Sequence, residues 1–560
     1  MRTVRWLIAL CLIGAPQWAF GQDAAATGPP QQTPSQQMDK LFEFWNRLDQ
    51  PGFAVVVVKD GQVLYQKVFG LACQEHAVPI TPNSVFNVAA AAQPFVGQAL
   101  AMLEKQGRLS LDDDVRKLIP ELPDFGTPVR LRHLLFHTSG LRDWLPVLQM
   151  TGRDGDEITI GRVLKIVGAQ KKLAFAPGER AQYSNTDYDL LAETIKRATG
   201  KPFSDWAWES LFKPLKMTRT QYRDNYRSIF DDQAFTYNYT RQEYLKGIDT
   251  LSLTGSHSLF TSISDLSKWL VDLETARVGG PDIVDKMFTP GRLNDGSSSG
   301  FGYGLSVESE AGRQRVVARG TWAGSGAVVA YYPDQKFGFA VLANWDYTPV
   351  DGFASEIVGI YLPVPAPAAK AAPPPAGTTI VSVSPDRLDQ YVGDYRLGPG
   401  QIVTFARAGG QLFLQVPGQR FALTALSETE FLFDLASARI AFQTNKDGKV
   451  HQFVWKQGGR EQIAPRVVLV KPTPEELKQF AGSYFNDELN LRFRVEVRGE
   501  ALVMSRPDAS DIRLTADIQD RFTSGMRAVP AIVFQRDARK EIIGLSIDSD
   551  PLRDAIFKKE

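Results

Sequence analysis

The sequence predicts an α/β sandwich, an antiparallel sheet flanked by helices, followed by two small antiparallel β-barrel domains. Strand-like runs stand at both ends of a long region, residues 38–362, and helical stretches lie between them. An Ala/Pro-rich run at 363–379 then interrupts the chain. Beyond it, two segments repeat one another at a shift of 89 residues, from Pro385 to Pro474. These three observations fix the predicted architecture.

Composition and charge exclude several classes of function. The chain has 560 residues, 43% of them hydrophobic and 22% charged, which is typical of a globular protein with several domains. Its 63 basic residues balance 63 acidic ones, so no basic surplus is available to neutralise phosphates. Nucleic acid is therefore not expected as a partner. Because no zinc motif or phosphate-binding loop is present, no metal or cofactor is predicted.

The N-terminus has the pattern of a signal peptide over residues 1–21. Arg2 and Arg5 precede the apolar run "WLIALCLIGA", and Ala19 and Gly21 supply small residues for cleavage before residue 22. The run is too short for a permanent membrane span. We therefore expect a periplasmic or secreted protein.

Residues 22–37 follow the cleavage position and are polar and Pro-rich. This composition predicts a disordered linker, because so few apolar side chains cannot offset the entropy of ordering the backbone. Cys73 is the single cysteine that the mature chain would keep, so no internal disulfide is expected.

The region 38–362 begins and ends with strands. "GFAVVVVKDGQVLYQKVFG" contains two apolar runs joined at Asp60-Gly61, a strong hairpin signal. The helical stretches "PFVGQALAMLEKQG" and "DYDLLAETIKRATG" each end on glycine. "AVVAYYP" and "FGFAVLAN" close the region. The first and last strands are expected to share one antiparallel sheet.

The linker 363–379 should be extended and semi-rigid because of its proline content. The modules that follow, 380–470 and 471–560, open with "PDRLDQYVGDY" (385–395) and "PEELKQFAGSY" (474–484). Short alternating strands and turns continue each copy. Two similar antiparallel β-barrels are therefore predicted.

Several segments of the long region carry a family resemblance. They include "LRHLLFHTSGLRDW" (131–144), the motif Tyr183-Ser184-Asn185 within "APGERAQYSNTDYDLLAETI", and "LFKPLKMTRT", "SLFTSISDLSKWL" and "FGYGLSV" in that order. Together they resemble the serine β-lactamase and penicillin-binding-protein family, especially its class C β-lactamase, esterase and D-aminopeptidase branch. The resemblance implies the β-lactamase/transpeptidase type of sandwich.

The resemblance also implies acyl transfer. In this family a serine at the start of a buried helix attacks a carbonyl, and a lysine three residues later on the same helix face helps to remove its proton. A tyrosine serves as a further base, and backbone N–H groups hold the oxyanion.

The stretch "FNVAAAAQPF" departs from this pattern. Anchored on Phe86 and Phe95, the family's serine falls on Ala90 and its lysine on Gln93. Alanine has no nucleophilic atom, and glutamine neither carries a positive charge nor accepts a proton near neutral pH. The resemblance with these replacements predicts a catalytically inactive homologue.

The family's third motif is also altered. Its lysine or histidine falls on Ala318, followed by Arg319 and Gly320. Neighbours on a strand point to opposite faces, so Arg319 is not a simple substitute. Tyr183 is retained, but without nearby cations we expect it to stay protonated and to be insufficient alone. Asn185, Arg319 and Gly320 are the candidate cleft-binding residues.

Alternatives remain open at this point. Ser84 or Ser139 could be a displaced nucleophile, and His137 is interpreted as a buried structural histidine rather than a base. The first functional hypothesis is a non-catalytic exported protein that binds a peptidoglycan-like peptide or a partner protein. The second is a hydrolase (esterase, D-aminopeptidase or β-lactamase-like) with residual activity through an unrecognised nucleophile. The third places function in the two barrels.

Overall fold

The computed structural model describes most of the chain after residue 31. The described ranges are 32–362 and 381–560, apart from 154, 241–242, 311, 347, 399–400, 417–418, 434–437, 458–459, 507–508, 527–528, 550–551 and 553–554. The predicted signal peptide and the Ala/Pro-rich linker lie outside these residues. Within them, no helix is long and apolar enough to cross a bilayer.

A six-stranded antiparallel sheet forms the centre of the first domain. Its strands run in the order β3-β4-β5-β6-β1-β2, so the first strand of the domain pairs with the last, as predicted. The strands are β1 (Phe53–Lys59), β2 (Gln62–Phe69), β3 (Ser306–Glu310), β4 (Arg313–Trp322), β5 (Ser325–Tyr332) and β6 (Phe337–Ala343).

Strand β1 is apolar because both faces of the sheet are covered. Ala54, Val56 and Val58 contribute to a core shared with the helical region, whereas Val55 and Val57 face a second core on the other side. A run without polar alternation is typical of a strand buried on two faces. The predicted hairpin to β2 is also confirmed, with both turn residues, Asp60 and Gly61, in the left-handed region (φ 48° and 71°).

Helices occupy both faces of the sheet. They are α1 (Pro34–Leu41), α2 (Gln93–Lys105), α3 (Leu131–Leu135), α4 (Trp144–Thr151), α5 (Ile160–Gly168), α6 (Asn185–Thr199), α7 (Phe203–Ala207), α8 (Ile263–Thr275), α9 (Pro281–Met287) and α10 (Val350–Tyr361). The predicted glycine stop of α6 is confirmed, since Gly200 takes φ 73°.

The prediction of disorder over 22–37 is wrong for its last residues, because helix α1 begins at Pro34. Thr33 and Gln36 form a reciprocal capping box, and proline fits the first turn of a helix. Met38 and Phe42 are buried in the core beside α10. The disorder prediction was based on the polar composition of 22–37 and did not include the apolar face that begins at Met38.

The two C-terminal modules are rolled antiparallel sheets, each introduced by a short helix, α11 (Pro385–Tyr391) and α12 (Pro474–Leu477). The first is a nine-stranded sheet whose edge strands are consecutive in the chain, so that it nearly closes; the second is a closed eight-stranded barrel. The strands of the first are Gly393–Gly398, Gln401–Ala408, Gln411–Val416, Gln419–Ala422, Thr424–Ala425, Glu430–Phe433, Ala438–Thr444, Val450–Gln457 and Arg460–Val467. Those of the second are Gly482–Asn486, Leu491–Arg498, Ala501–Arg506, Ala509–Ile518, Arg521–Thr523, Ala531–Arg536, Ile542–Ile547 and Ile556–Lys559.

The sequence repeat corresponds to a repeated contact. The hydroxyl of Tyr395 donates to the carbonyl oxygen of Tyr391 at 3.0 Å, and that of Tyr484 donates to the carbonyl oxygen of Phe480 at 2.7 Å. Both tyrosines are fully buried. The two modules therefore repeat the junction of helix and first strand at the predicted shift.

The second barrel packs directly on helix α4. Val147 and Met150 of this helix belong to the same hydrophobic cluster as the interior of the barrel. Beside them, Nε of the buried Arg142 donates to Oε1 of Glu488 at 3.0 Å. Arg506 also donates to the carbonyl oxygen of Gln149. The barrel therefore holds a helix that borders the cleft described next.

Candidate active site

A cleft of about 790 Å³ lies where strand β4 approaches the turn before helix α2. Side chains from distant parts of the chain line it, including one from the second barrel. The lining residues used below are Ala90, Asp143, Tyr183, Asn185, His257, Arg319, Gly320, Trp322, Asp346, Asp351 and Ser549. The cleft therefore brings together five residues that separate sequence motifs predicted for the site: Ala90, Tyr183, Asn185, Arg319 and Gly320.

Ala90 sits in a single 3-10 turn, Ala89–Ala92, which leads into α2 at Gln93. Ala89 is held in the left-handed region at φ 48°, a conformation that costs energy for a residue with a side chain. Its amide donates to Oδ1 of Asn87 at 2.8 Å, and Nδ2 of Asn87 donates to Oδ2 of Asp249 at 2.9 Å. This network stabilises the strained backbone that presents Ala90 to the cleft.

Gln93 is buried and reaches the tyrosine. Its Nε2 donates to the hydroxyl of Tyr183 at 2.8 Å, and that hydroxyl donates to Oδ1 of Asn185 at 3.0 Å. Burial of the hydroxyl, together with the nearby Asp143 carboxyl, raises the pKa of Tyr183 well above its usual value. Tyr183 is therefore protonated at neutral pH.

Asp143 fixes the wall behind Tyr183. Its Oδ1 accepts from the amide of Leu145 and caps α4, and its Oδ2 accepts from Nδ2 of Asn185 at 2.8 Å. Burial raises the pKa of Asp143 to about 6. This carboxyl thus joins the starts of α4 and α6 and keeps the tyrosine and asparagine in place.

Strand β4 contacts the Ala90 turn through Gly320. A Cβ at this position would lie 2.2 Å from the carbonyl oxygen of Val88 and 2.6 Å from the amide nitrogen of Ala90, so only glycine permits this approach. Ala318 lies on the same face and is buried. Arg319 points to the other face and binds Glu308 and Asp351, each at 2.9 Å. Its charge is therefore already paired.

The alternative nucleophiles lie outside the cleft lining. Ser139 is buried, and its Oγ donates to Oδ1 of Asp187 at 2.6 Å. Ser84 is also buried and accepts from the amide of Thr81. His137 lies in an aromatic environment, 3.2 Å from Oδ2 of Asp187, and burial lowers its pKa to about 3. It has the surroundings of a structural residue, as interpreted from the sequence.

The sequence did not nominate His257, which also lines the cleft. The residue is 3% exposed, and its ring packs against Trp322 with the ring centroids 5.3 Å apart. It lies next to Ser258, which is held at φ 65°. No spacing pattern links His257 to Ala90 or Tyr183, so only the folded arrangement could identify it.

A β-lactamase family model matches residues 38–358, more than half of the chain. The chain belongs to the β-lactamase family. A second model, for a domain of unknown function (DUF3471), matches residues 379–465, which contain most of the first barrel-like module. The family model therefore covers the sandwich, as the motifs indicated. This domain has the β-lactamase/transpeptidase type of sheet and helices.

Relatives of this β-lactamase family chain include a penicillin-binding protein from Bacillus subtilis (strain 168), 27% identical over 453 residues, 76% of this chain and 97% of that protein. A D-aminopeptidase from Gluconobacter oxydans (strain 621H) is 26% identical over 300 residues, covering 53% of this chain and 56% of that protein. An octameric penicillin-binding protein homologue from Pyrococcus abyssi has a similar structure, with 23% identity, a TM-score of 0.54 and coverage of 76% of this chain and 99% of its own. This last likeness shows the fold.

Proposed function

We propose that this chain is an exported, non-catalytic member of the β-lactamase family that binds a peptidoglycan-like peptide in its cleft. The hydrogen bond from Gln93 to Tyr183, beside Ala90, is the observation that carries the proposal. At the positions where the family resemblance implies a serine and a lysine, the chain has a methyl group and a neutral amide. The remaining tyrosine keeps its proton.

The proposed lack of acyl-transfer activity follows because the family's catalytic groups depend on one another. A tyrosine acts as a base only when a nearby cation lowers its pKa, and removal of one member of such a unit costs several orders of magnitude in rate. Burial and the Asp143 carboxyl instead raise the pKa of Tyr183. The guanidinium of Arg319 is bound by two carboxylates.

The binding function rests on the shape and lining of the cleft. Its volume of about 790 Å³ falls in the range of ligand sites. Asn185 and Tyr183 are held by hydrogen bonds to neighbours rather than left to rotate, and Gly320 keeps the two walls in contact. A preorganised polar cleft retains affinity even when it holds no nucleophile.

Intact-mass spectrometry tests the loss of chemistry. Incubation with a fluorescent penicillin, and separately with a fluorophosphonate, is expected to leave the mass of the protein unchanged. Titration calorimetry with a soluble peptidoglycan stem peptide is expected to show saturable binding. Stoichiometric acylation would favour the residual-hydrolase hypothesis, and peptide mapping would then identify the nucleophile.

Export is proposed from the N-terminal pattern alone. In an expressing bacterium, N-terminal sequencing of the mature protein is expected to begin at Gln22. A mature protein that begins at Met1 and remains in the cytoplasm would contradict this part of the proposal.

A further inference from the structure

A cluster of aromatic side chains lies beside the cleft, on the surface of the sandwich. Two paired strands, Tyr237–Thr240 and Glu243–Lys246, each contribute one ring. The turn after α1 contributes two rings and the segment after β6 contributes one. The five residues, called the aromatic patch below, are Phe44, Trp45, Tyr239, Tyr244 and Trp345.

The rings hold one another in place by edge-to-face contacts. Trp345 is central, because its ring centroid lies 6.0 Å from that of Tyr239 and 5.5 Å from that of Tyr244. Trp45 joins the same ring at 5.9 Å, and Phe44 packs on Trp45 at 5.6 Å. Rings that are fixed in this way lose little conformational entropy when a partner covers them.

The patch keeps an exposed apolar surface. Trp345 is buried and forms its floor, whereas Tyr239 is 39% and Phe44 is 70% exposed. Trp45 and Tyr244 are half-buried. Contiguous exposed apolar surface is uncommon on a folded domain and marks an interaction site.

Two cations near Tyr244 are each paired with a carboxylate. Arg47 and Asp49 lie near this tyrosine and form an ion pair, in which Nε donates to Oδ1 at 2.9 Å. Lys246 lies on the same strand face as Tyr244, with its Nζ 3.8 Å from Oε1 of Glu75. These two cations therefore add no free positive charge to this side of the patch, which disfavours an anionic lipid surface as the partner.

The patch adjoins the cleft. Asn238 and Asp346 line the cleft and are the chain neighbours of Tyr239 and Trp345. The amide of Tyr239 donates to Oδ1 of Asp346 at 3.0 Å, so these two residues are fixed side by side. A carboxylate can accept several hydrogen bonds, so Asp346 can also accept from a ligand hydroxyl. A ligand bound in the cleft can therefore extend onto the patch.

A sugar ring matches this combination of groups. The C–H groups on its faces are apolar and pack on the negative face of an aromatic ring. The hydroxyl and acetamide groups around its edge donate and accept hydrogen bonds, for which the tyrosine hydroxyls and Asp346 supply partners. An N-acetylated hexosamine is uncharged, so it requires no free cation at the patch.

We infer that the aromatic patch binds the N-acetylhexosamine chain of a glycopeptide whose peptide occupies the cleft. This inference rests on the proposed function and adds the sugar to which the peptide is joined. The patch contains none of the residues that the acyl-transfer motifs include.

A sugar without a peptide tests the patch. Chitotetraose, a neutral chain of N-acetylglucosamine, is expected to bind saturably in titration calorimetry and to change the fluorescence of the patch tryptophans, Trp45 and Trp345. Tyr239→Ala and Phe44→Ala should each weaken this binding about tenfold, whereas Tyr239→Phe keeps the ring and should stay within about threefold of the wild type. Trp208→Ala removes a side chain of matched exposure, 38%, outside the patch and should bind as the wild type does. No binding of chitotetraose, or unchanged affinity in both folded alanine variants of the patch, would overturn the inference.

Three probes separate this inference from the proposed function: the stem peptide, chitotetraose, and an N-acetylated disaccharide joined to the same stem peptide. The disaccharide peptide should bind at least about tenfold more tightly than the stem peptide, because its second contact becomes intramolecular. Tyr239→Ala should remove this gain and leave the affinity for the stem peptide unchanged. If the stem peptide binds and the sugar adds nothing, only this inference fails. If chitotetraose binds and the stem peptide does not, the proposed function fails and the sugar site remains; if no probe binds, both fail.

Self-association is a competing use of an exposed aromatic surface. Sedimentation velocity is expected to give the same molecular mass for the wild type and for Tyr239→Ala. A wild type that dimerises, with a monomeric Tyr239→Ala variant, would show that a second copy covers the patch and would contradict the inference.

Discussion

Restoring catalysis should require more than the nucleophile. Ala90→Ser alone is expected to give no detectable acylation, because Gln93 cannot take the proton and Tyr183 keeps its own. Adding Gln93→Lys should produce measurable acylation by a fluorescent penicillin or turnover of a chromogenic ester. Adding Ala318→Lys or Ala318→His should raise the rate further. This order follows because members of a catalytic unit act together.

The expected gain follows from the contact between Gln93 and Tyr183. Nε2 of Gln93 lies 2.8 Å from the hydroxyl of Tyr183, so a lysine there would place its ammonium in direct contact. A cation at this distance lowers a pKa by about 1 to 3 units, which raises the tyrosinate fraction about 10- to 1,000-fold. General-base assistance is worth about 10² to 10⁴ in rate. The double variant should therefore exceed the single one by at least about 100-fold.

A burst assay combined with intact mass, on the single, double and triple variants, measures this order. Each variant is first checked for folding, because Gln93 and Ala318 are both buried and a lysine there is costly. Ala91→Ser with Gln93→Lys is the control, since Ala91 packs into the core and its hydroxyl would not face the cleft. If the single variant matches the triple one, the account of the missing base is wrong. If a folded triple variant is silent, the cleft no longer has the family's geometry.

Three further predictions concern stability. Glu488→Gln removes the carboxylate that faces the buried Arg142 and should lower the free energy of unfolding by about 3 to 5 kcal/mol, measured by urea denaturation. The folded-state pKa of Asp189, about 7, lies above its unfolded value, so the wild type should lose stability as pH rises from about 4 to 7. Asp189→Asn should reduce this loss. Tyr395→Phe and Tyr484→Phe should each destabilise their own barrel by about 1 to 2 kcal/mol, which site-resolved hydrogen exchange would measure; unequal effects would contradict the equivalence of the two modules.

The features that were predictable from the sequence depend on local pattern. The hairpin at Asp60-Gly61 follows from turn chemistry, and the repeat was visible because Tyr395 and Tyr484 occupy the same place in two similar segments. The positions of Ala90 and Gln93 came from motif order. Each of these inferences uses residues close together in the chain.

The features that sequence reasoning missed depend on contacts between distant residues. Arg142 meets Glu488 across 346 positions, and Asp189 meets Ser256 across 67. Neither pair has a spacing that marks it as a contact. His257 is identified only because the fold places it in the lining of the cleft. The start of α1 was missed because its polar residues mask a single buried face.

The contact between helix α4 and the second barrel has a consequence for dissecting the protein. Val147 and Met150 supply part of the barrel's interior, so neither unit is a self-sufficient module at this boundary. A fragment that ends near residue 470 would present these side chains, together with Arg142, to water and should aggregate or lose its cleft wall. Fusion of the sandwich to a different C-terminal domain would expose the same side chains. The sandwich and its last domain are therefore expected to be inherited, expressed and purified as one unit.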